Sequence, residues 1–473
     1  MATRYGKRIV TDGLVLCLDA ADNISAPHSD LPVKQGLLAW WDAADDSTVT
    51  LSGSNVTQWR DKSGNSYHMS PNGTGPTRSN TQNSKSVLTF TATQDIRDNS
   101  TDLNLTTTTH TVVVVSRYTV GNLRYTNQAG RILQGVSNNW LLGAWDSQPS
   151  KYYAAGWVTS SSRVSTNDTT WGIHTGTGDY SNDVWAYIKN GTDLTVSSGG
   201  GGGGPNRLSI NSGAINENSP CEVAELIVFN RVLSSDELTK VHNYLQNKWN
   251  ISVSDAKWYD RTANANNGTP TNEPTYSETN KGYFDFDGTD DAFDLPVRTV
   301  DGLTTYSISF WVNFDTWSTG STYGNIYCEE TGLWIANYYD KIGFDFHNGN
   351  TWIDGNGGTV DSLQITVPAS DKTGTWLHVT ATYSGSTSST SATITGYLNG
   401  SQNFQVTTSY GSGSNSQIAS TGSTNYKGGI GYRRSYNSYY FDGKIANMSM
   451  YNKVLTSAEV LQNYNATKGR FGL

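Results

Sequence analysis

The densest group of chemistry-bearing side chains in this 473-residue sequence is Arg433-Arg434-Ser435-Tyr436-Asn437-Ser438-Tyr439-Tyr440. Aromatic rings stack on the apolar faces of sugars, and Asn, Asp and Arg hydrogen-bond their hydroxyls. Several rings in one polar loop cannot all turn inward. Tyr338, Tyr339 (ahead of Asp340) and Trp352 are the rings expected to join them, and Trp140, Trp145, Tyr152 and Tyr153 form a looser set. For any single ring, burial in a core is the competing fate. A second feature is the acidic turn Asp287, Asp290, Asp291. Three hard oxygen donors suit calcium. The same carboxylates can instead accept backbone N–H groups of a tight Asp-Gly turn, which needs no ion and is the first expectation. Glycosidic chemistry would require two carboxylates on one strand face. Glu222 and Glu225, three apart, are expected on opposite faces, as are the adjacent Glu329 and Glu330. The seven histidines do not cluster, and no nucleophile, zinc or phosphate-loop motif is present. An enzyme is not expected.

The elements that would carry these residues come from a repeat. Gly13-Leu14-Val15-Leu16-Cys17-Leu18-Asp19-Ala20-Ala21-Asp22 recurs 23 positions later as Gly36-Leu37-Leu38-Ala39-Trp40-Trp41-Asp42-Ala43-Ala44-Asp45. Only the second head is soon followed by its continuation, Trp59-Arg60-Asp61-Lys62-Ser63-Gly64-Asn65. The other version, Trp258-Tyr259-Asp260-Arg261-Thr262-Ala263-Asn264, lies far downstream. The closing segments Phe229–Glu237 and Tyr451–Glu459 are 222 residues apart. Nesting accounts for this order: an outer domain of residues 11–30 plus 254–473, an inner domain of 36–251 inserted in its first loop, and an N-terminal segment of 1–10. A plain tandem with a vestigial N-terminal fragment is the alternative. Nesting predicts that Leu14–Leu18 pairs antiparallel with Ile445–Tyr451, and Leu37–Trp41 with Val223–Phe229.

Short alternating or apolar bursts predict strands at 111–115, 184–188, 223–229, 306–312, 377–383, 392–398 and 444–451. Ser234-x-x-Glu237 and Thr456-x-x-Glu459 are capping-box patterns, predicting short helices over 235–248 and 457–466. The six glycines 199–204 predict a loop. Asp19 and Asp22, like Asp42 and Asp45, are expected to end the first strand and hold its turn.

Gly at 48, 27 Tyr, 15 Trp and 15% charged residues describe an all-β protein with polar loops. A net charge of −9 disfavours nucleic acid. Cys17, Cys221 and Cys328 are read as buried hydrophobes rather than a disulfide framework. The apolar run Leu14–Leu18 is too short for a signal peptide, and no stretch reaches the ~20 residues of a membrane span.

Phe286-Asp287-Gly288-Thr289-Asp290-Asp291, the strand Tyr306–Val312, Trp376-Leu377-His378-Val379 with Tyr397-Leu398-Asn399-Gly400, and the closing strands after Gly431 resemble the laminin-G-like, concanavalin A-like jelly-roll superfamily. Trp171-Gly172-Ile173-His174 and Ile188-Lys189-Asn190-Gly191 echo the same hairpin in the inner copy, with His174 and His378 read as equivalent framework positions. The resemblance implies two jelly-roll β-sandwiches, the first nested in the N-terminal loop of the second. Its glucanase members use Glu-x-Asp-x-Glu, which is absent here; some relatives bind calcium. Residues 9–22 also resemble the opening of virion-associated proteins of tailed, especially marine, phages. The expected function is a virion structural, decoration or appendage protein with lectin-like domains that adhere to host or environmental glycans. Its partners would be capsid or tail proteins and cell-surface glycans, and its location the virion, after synthesis without a signal peptide. The alternatives are a purely architectural decoration without sugar binding and a bacterial extracellular carbohydrate-binding adhesin.

Overall fold

A computed structural model describes the chain apart from residues 1–8, 22–29, 100–102, 122–129, 163–166, 198–202, 214, 216, 255, 273, 278, 321–322, 331, 349–351, 354–362, 411–414 and 419–426, and apart from the side chains of 352–353. Much of the 199–204 glycine run therefore lies outside the described residues. Two compact units emerge: Met1–His28 with Lys257–Leu473, and Ser29–Ala256. Each is built from antiparallel sheets with almost no helix, an all-β architecture consistent with a jelly-roll sandwich.

In the first unit, one sheet runs Thr275–Ser277, Tyr283–Asp287, Asp442–Tyr451, Thr305–Phe314, Leu377–Ser384, Ser391–Leu398, Ser401–Ser409. Asp442–Tyr451 has two partners end to end on one edge. Tyr283–Asp287 covers its first half (Phe284 opposite Ile445), and Leu14–Asp19 its second, with Leu16 opposite Met450 and Asp19 opposite Asn447. The facing sheet contains Ala292–Asp294, Gly429–Ile430, Gly324–Glu329, Leu333–Tyr338 and Lys341–His347. Inward residues of both sheets, among them Ile308, Phe310, Ile335, Phe344, Ile394 and Met448, form one core.

The second unit repeats the plan. Cys221–Phe229 pairs with Leu88–Phe90 at its start and with Leu37–Asp42 at its end, with Ala39 opposite Val228 and Asp42 opposite Glu225. Both strand pairings expected of the two heads are thus present. Gly13 and Gly36 sit at φ +72° and +75°, where an added Cβ would meet Asn452 and Asn230 at 2.9 and 2.8 Å. Only glycine suits that backbone and that approach.

The same side chains hold each head to its continuation. In the second unit, Asp61 Oδ1 accepts Trp40 N at 2.8 Å and Ser63 N at 2.8 Å, while Asn65 Nδ2 donates to Leu38 O at 2.8 Å. In the first unit, Asp260 Oδ1 accepts Cys17 N at 2.9 Å and Thr262 N at 2.9 Å, while Asn264 Nδ2 donates to Val15 O at 2.9 Å. The carboxylate thereby satisfies backbone donors that would otherwise be buried unpaired. Asp19 and Asp42 turn the chain after each head by accepting Ala21 N and Ala44 N at 2.9 and 3.0 Å.

Helix α1, Ser235–Trp249, and helix α2, Ser457–Thr467, both begin with a complete capping box. The three cysteines are free and buried. Among the described residues, no helix is long and apolar enough to cross a membrane.

Two expectations need correction. A bulge opposite Val115/Ser116 puts an extra residue, Ala224, into its strand. Cys221, Val223, Leu226 and Val228 therefore face the inter-sheet core, while Ala224, Ile227 and Phe229 face the helix side. The extra residue shifts the alternation, so Glu222 and Glu225 share a face instead of opposing each other. Glu222 is held by Arg117 at 2.7 Å and Asn80 at 2.5 Å. Glu225 accepts Trp40 Nε1, Trp249 Nε1 and the Tyr244 hydroxyl, each at 2.7 Å, beside Lys248.

His174 and His378 are likewise not equivalent. Asn399 Oδ1 accepts His378 N at 2.9 Å, and Asn190 Oδ1 accepts Ile173 N at 2.8 Å, so Ile173 holds the matching position. One residue further along a strand reverses the face. His174 consequently meets the Tyr187 hydroxyl at 2.8 Å, whereas His378 packs on Trp311 and Tyr464 of the helix side.

Candidate functional site

Strand Leu333–Tyr338 places Leu333 and Ile335 in the core, so Trp334 and Tyr338 point to the opposite face. The 433–440 segment crosses this face. Its 3-10 turn Arg434–Tyr436 ends on Asn437 in the left-handed region, and Arg433 and Ser438 bridge its base. The outcome is a continuous stack. Arg433 lies 4.1 Å from the centre of the Tyr436 ring and 4.6 Å from that of Trp334. Trp334 meets Tyr323 at 4.8 Å, Tyr323 lies flat on Tyr338 at 3.8 Å and 6°, and Tyr338 meets Tyr339 at 4.1 Å. Tyr439 abuts Tyr323 edge-on at 5.3 Å. A guanidinium between two rings gains cation–π attraction from both faces. Glu330 fixes it further through a two-oxygen ion pair, and Trp334 Nε1 donates to Asn325.

Exposure sorts the members of this stack. Tyr436 is 64% exposed, Tyr339 50% and Tyr439 40%, whereas Tyr338 is 8% exposed beneath its neighbours. Arg434 turns away to brace the loop on Leu295 O at 3.0 Å and Asp294 at 3.1 Å. Tyr440 stacks on Tyr432 at 5.6 Å and donates to Asn437 Oδ1 at 2.9 Å. The Trp352 backbone forms a short strand, and its side chain lies outside the described residues. In the other unit, Trp140 and Tyr152 are fully buried. Trp145 and Tyr153 instead meet Trp157, at 4.8 and 5.2 Å.

Beside the stack lies a cleft of 220 Å³ lined by Asp287, Thr316, Tyr323, Asn337, Tyr440 and Asp442, among others. Asp442 accepts the Thr316 hydroxyl. Asn337 is committed to shaping the wall, accepting Ser318 N at 2.5 Å and donating to Lys341 O at 2.9 Å.

The acidic turn forms one rim. Asp287 Oδ1 accepts Thr289 N at 2.8 Å and Asp290 N at 3.2 Å, and Asp291 Oδ2 accepts Asp287 N at 3.1 Å. The turn uses its carboxylates as backbone acceptors. One oxygen from each of Asp287, Asp290 and Asp291 also falls within 4.8 Å of the others, a hard-donor set of the kind calcium takes. The backbone bonds hold the Asp287 carboxyl below its ordinary range. Burial, with the charges of Asp287 and Asp290 adding, pushes Asp291 up to about 6.

Residues 287–461 match the family model of the concanavalin A-like lectin/glucanases superfamily. The matched segment carries every candidate site residue named above in the first unit. A search of curated protein sequences finds no match. Among solved structures, domain 4 of the extracellular GH43 arabinanase AbnA of Geobacillus stearothermophilus, in complex with arabinotriose, is 18% identical at a TM-score of 0.30, covering 44% of this chain and 92% of that one. The binding domain of botulinum neurotoxin DC, in complex with rat synaptotagmin II, is 13% identical at a TM-score of 0.33, covering 44% of this chain and 48% of that one. This chain thus spans about half of the neurotoxin domain's length.

Sequence reading missed Tyr323, Trp334, Glu330 and Asp442. Trp334 and Tyr338 carried a usable signal, because their spacing of four places both on one face of a strand. Tyr323 carried none: only the fold inserts it between them.

Proposed function

We propose that this chain is a glycan-binding protein of a tailed-phage particle, built from two laminin-G-like sandwiches with residues 36–251 nested in the first loop of the other. It acts by adhesion and not by catalysis. The single observation that carries the binding reading is the stack of exposed Tyr436, Tyr439 and Tyr339 around Trp334 and Tyr323, next to a cleft of sugar-residue size. Rings fixed in place by a flanking guanidinium and by each other offer stacking faces at little conformational cost. The lectin members of the matched superfamily favour the same reading. The shared hydrogen bonds of the two heads to Asp61 and Asp260 support the nested arrangement. The virion assignment rests on the resemblance of residues 9–22, and residues near 1–12 or one sandwich would dock to the capsid or tail. Many displayed copies would convert weak single sites into avidity.

A second reading is a purely architectural decoration. The burial of Tyr338 and the Glu330–Arg433 ion pair favour it, since both satisfy the stack from within. One experiment separates the two readings. The purified chain is screened on a glycan array with and without calcium, alongside a Tyr436→Ala/Tyr439→Ala/Tyr440→Ala variant. Binding that the variant loses establishes the adhesin; silence in both conditions leaves an architectural part. A gain on adding calcium would assign Asp287, Asp290 and Asp291 to the ion.

A further inference from the structure

Resting on the glycan reading, we infer that the cleft takes neutral or amino-bearing sugar residues and rejects acidic ones such as uronates, sialic acids and sulfated sugars. Both charged residues lining it, Asp287 and Asp442, are acids. Asp290 and Asp291 extend the negative rim within 4.8 Å of Asp287.

Among the described residues, most cations around it are engaged in ion pairs, and Lys341 meets the Thr366 hydroxyl at 2.9 Å. Lys444 pairs with Asp315 and, at 3.7 Å, with Asp285. Lys372 pairs with Asp340 at 2.5 Å, and Arg434 with Asp294 at 3.1 Å. Arg433 is held by Glu330 and sandwiched between two rings. An anionic ligand would have to compete with these carboxylates for Lys444, Lys372, Arg433 and Arg434, and with the Thr366 hydroxyl for Lys341.

The polar inventory points the same way. Carboxylate oxygens only accept, and the Asn337 amide has given both its oxygen and its nitrogen to the backbone. A ligand group that meets Asp287 or Asp442 must therefore donate, as hydroxyl and ammonium groups do and carboxylates and sulfates do not. The rings of Tyr323 and Tyr440 provide apolar contact for the sugar face. Like charges facing each other across an interface suppress the wrong partner more strongly than they tune the right one.

The test uses the full chain on an array holding neutral, amino, uronate, sialylated and sulfated glycans. Calorimetric titration follows with β-1,4-linked oligomers of glucose, glucosamine and glucuronate. Binding is expected to the neutral and amino classes, with glucuronate oligomers at least ten-fold weaker than glucose oligomers. Raising salt should weaken the glucosamine oligomer and leave the glucose oligomer unchanged, a control that needs no variant. In Asp442→Asn, the glucosamine affinity should fall about five-fold or more, and the glucose affinity by less. Acidic glycans bound as tightly as neutral ones would overturn the charge selection while leaving the sugar site standing. An array silent in every class would overturn the sugar site and this inference with it.

Discussion

The two units solve the joint between helix and sheet in opposite ways. Under α1, Glu225 is fully buried and takes four donors: two indole N–H groups, the Tyr244 hydroxyl and Lys248 at 2.8 Å. Lys248 also reaches Asp42 at 2.8 Å, and Lys62 ties Asp42 to Asp45. In the first unit, Asn447 stands opposite Asp19 where Glu225 stands opposite Asp42. Arg470 reaches Asp19 at 2.7 Å from a position 222 residues beyond Lys248. The rest of that joint is aromatic: Trp311 lies 4.3 Å from Phe471 and 5.8 Å from Tyr464, and Trp376 meets Phe471 at 4.5 Å. What stays constant between the units is the set of side chains that satisfy backbone groups. What fills the joint is free to change from ions to rings, because packing asks only for volume and paired polar atoms.

Breaking the ionic joint should have the largest effect. Lys248→Met leaves Glu225 and Asp42 buried without their shared cation, which is expected to destabilise Ser29–Ala256 by about 3–5 kcal/mol. Adding Glu225→Gln should recover part of that loss, since the stranded charge is then removed as well. Arg470→Met should weaken the first unit by less, as Asp19 keeps more contact with water. Urea titrations read by hydrogen-exchange mass spectrometry assign each loss to its unit. Equal losses in Lys248→Met and Arg470→Met would mean that burial does not separate the two ion pairs.

The head-to-continuation bonds sharpen the shared side of the comparison. Asp260→Ala strands Cys17 N, Thr262 N and Asn266 N, and Asp61→Ala strands Trp40 N, Ser63 N and Tyr67 N. Each substitution should cost about 2–3 kcal/mol. Asp260→Ala should speed exchange at Leu14–Asp19 and leave Leu37–Asp42 untouched, with the reverse for Asp61→Ala. Exchange that speeds at both heads in either variant would show that the two frames are not independent.

Much of this frame was legible in the sequence. The heads, their separated continuations, the capping boxes and the closing strands are local patterns in which residue type and spacing carry the geometry. The acidic turn and the ring-rich loop were legible for the same reason. What escaped depends on register and on distant neighbours. The bulge at Ala224 carries no local mark, so the faces of Glu222 and Glu225 were misjudged, and one residue of slip separated His174 from His378. Trp334 meets Arg433, and Tyr323 meets Trp334 and Tyr439, only because one strand, the approach to another and a loop nearly a hundred residues away converge. A ring cluster assembled in this way is visible one fragment at a time.

The smallest expected effect per side chain is the units' response to acid. Burial holds His110 near 4 and His174 near 3, the charge of Lys189 adding to the latter, in Ser29–Ala256. In the first unit, burial holds His378 down at about 3. Each folded value lies below the ordinary 6.5, so the unfolded chain takes up the proton first. The stability these neutral rings provide is complete above pH 6.5 and is lost as the pH falls, roughly 2 kcal/mol for each ring by pH 5. Asp291 works in the opposite sense. Its folded value, raised from 3.8 to about 6, means that its ionisation destabilises the first unit as the pH rises through that interval, so acidification there returns stability. Going from pH 7 to pH 5, Ser29–Ala256 should therefore lose roughly 3 kcal/mol more than its counterpart, about 2 from its additional ring and about 1 from the stability that Asp291 returns to the first unit. Urea titrations at the two pH values, with exchange labelling at one fixed pH, measure the gap. Asp291→Asn should widen the acid loss of the first unit while raising its stability at pH 7. If both units fell together, the additional buried imidazole of Ser29–Ala256 and the ionisation of Asp291 would not set their acid responses apart; if neither fell, the buried imidazoles would already carry their protons in the fold.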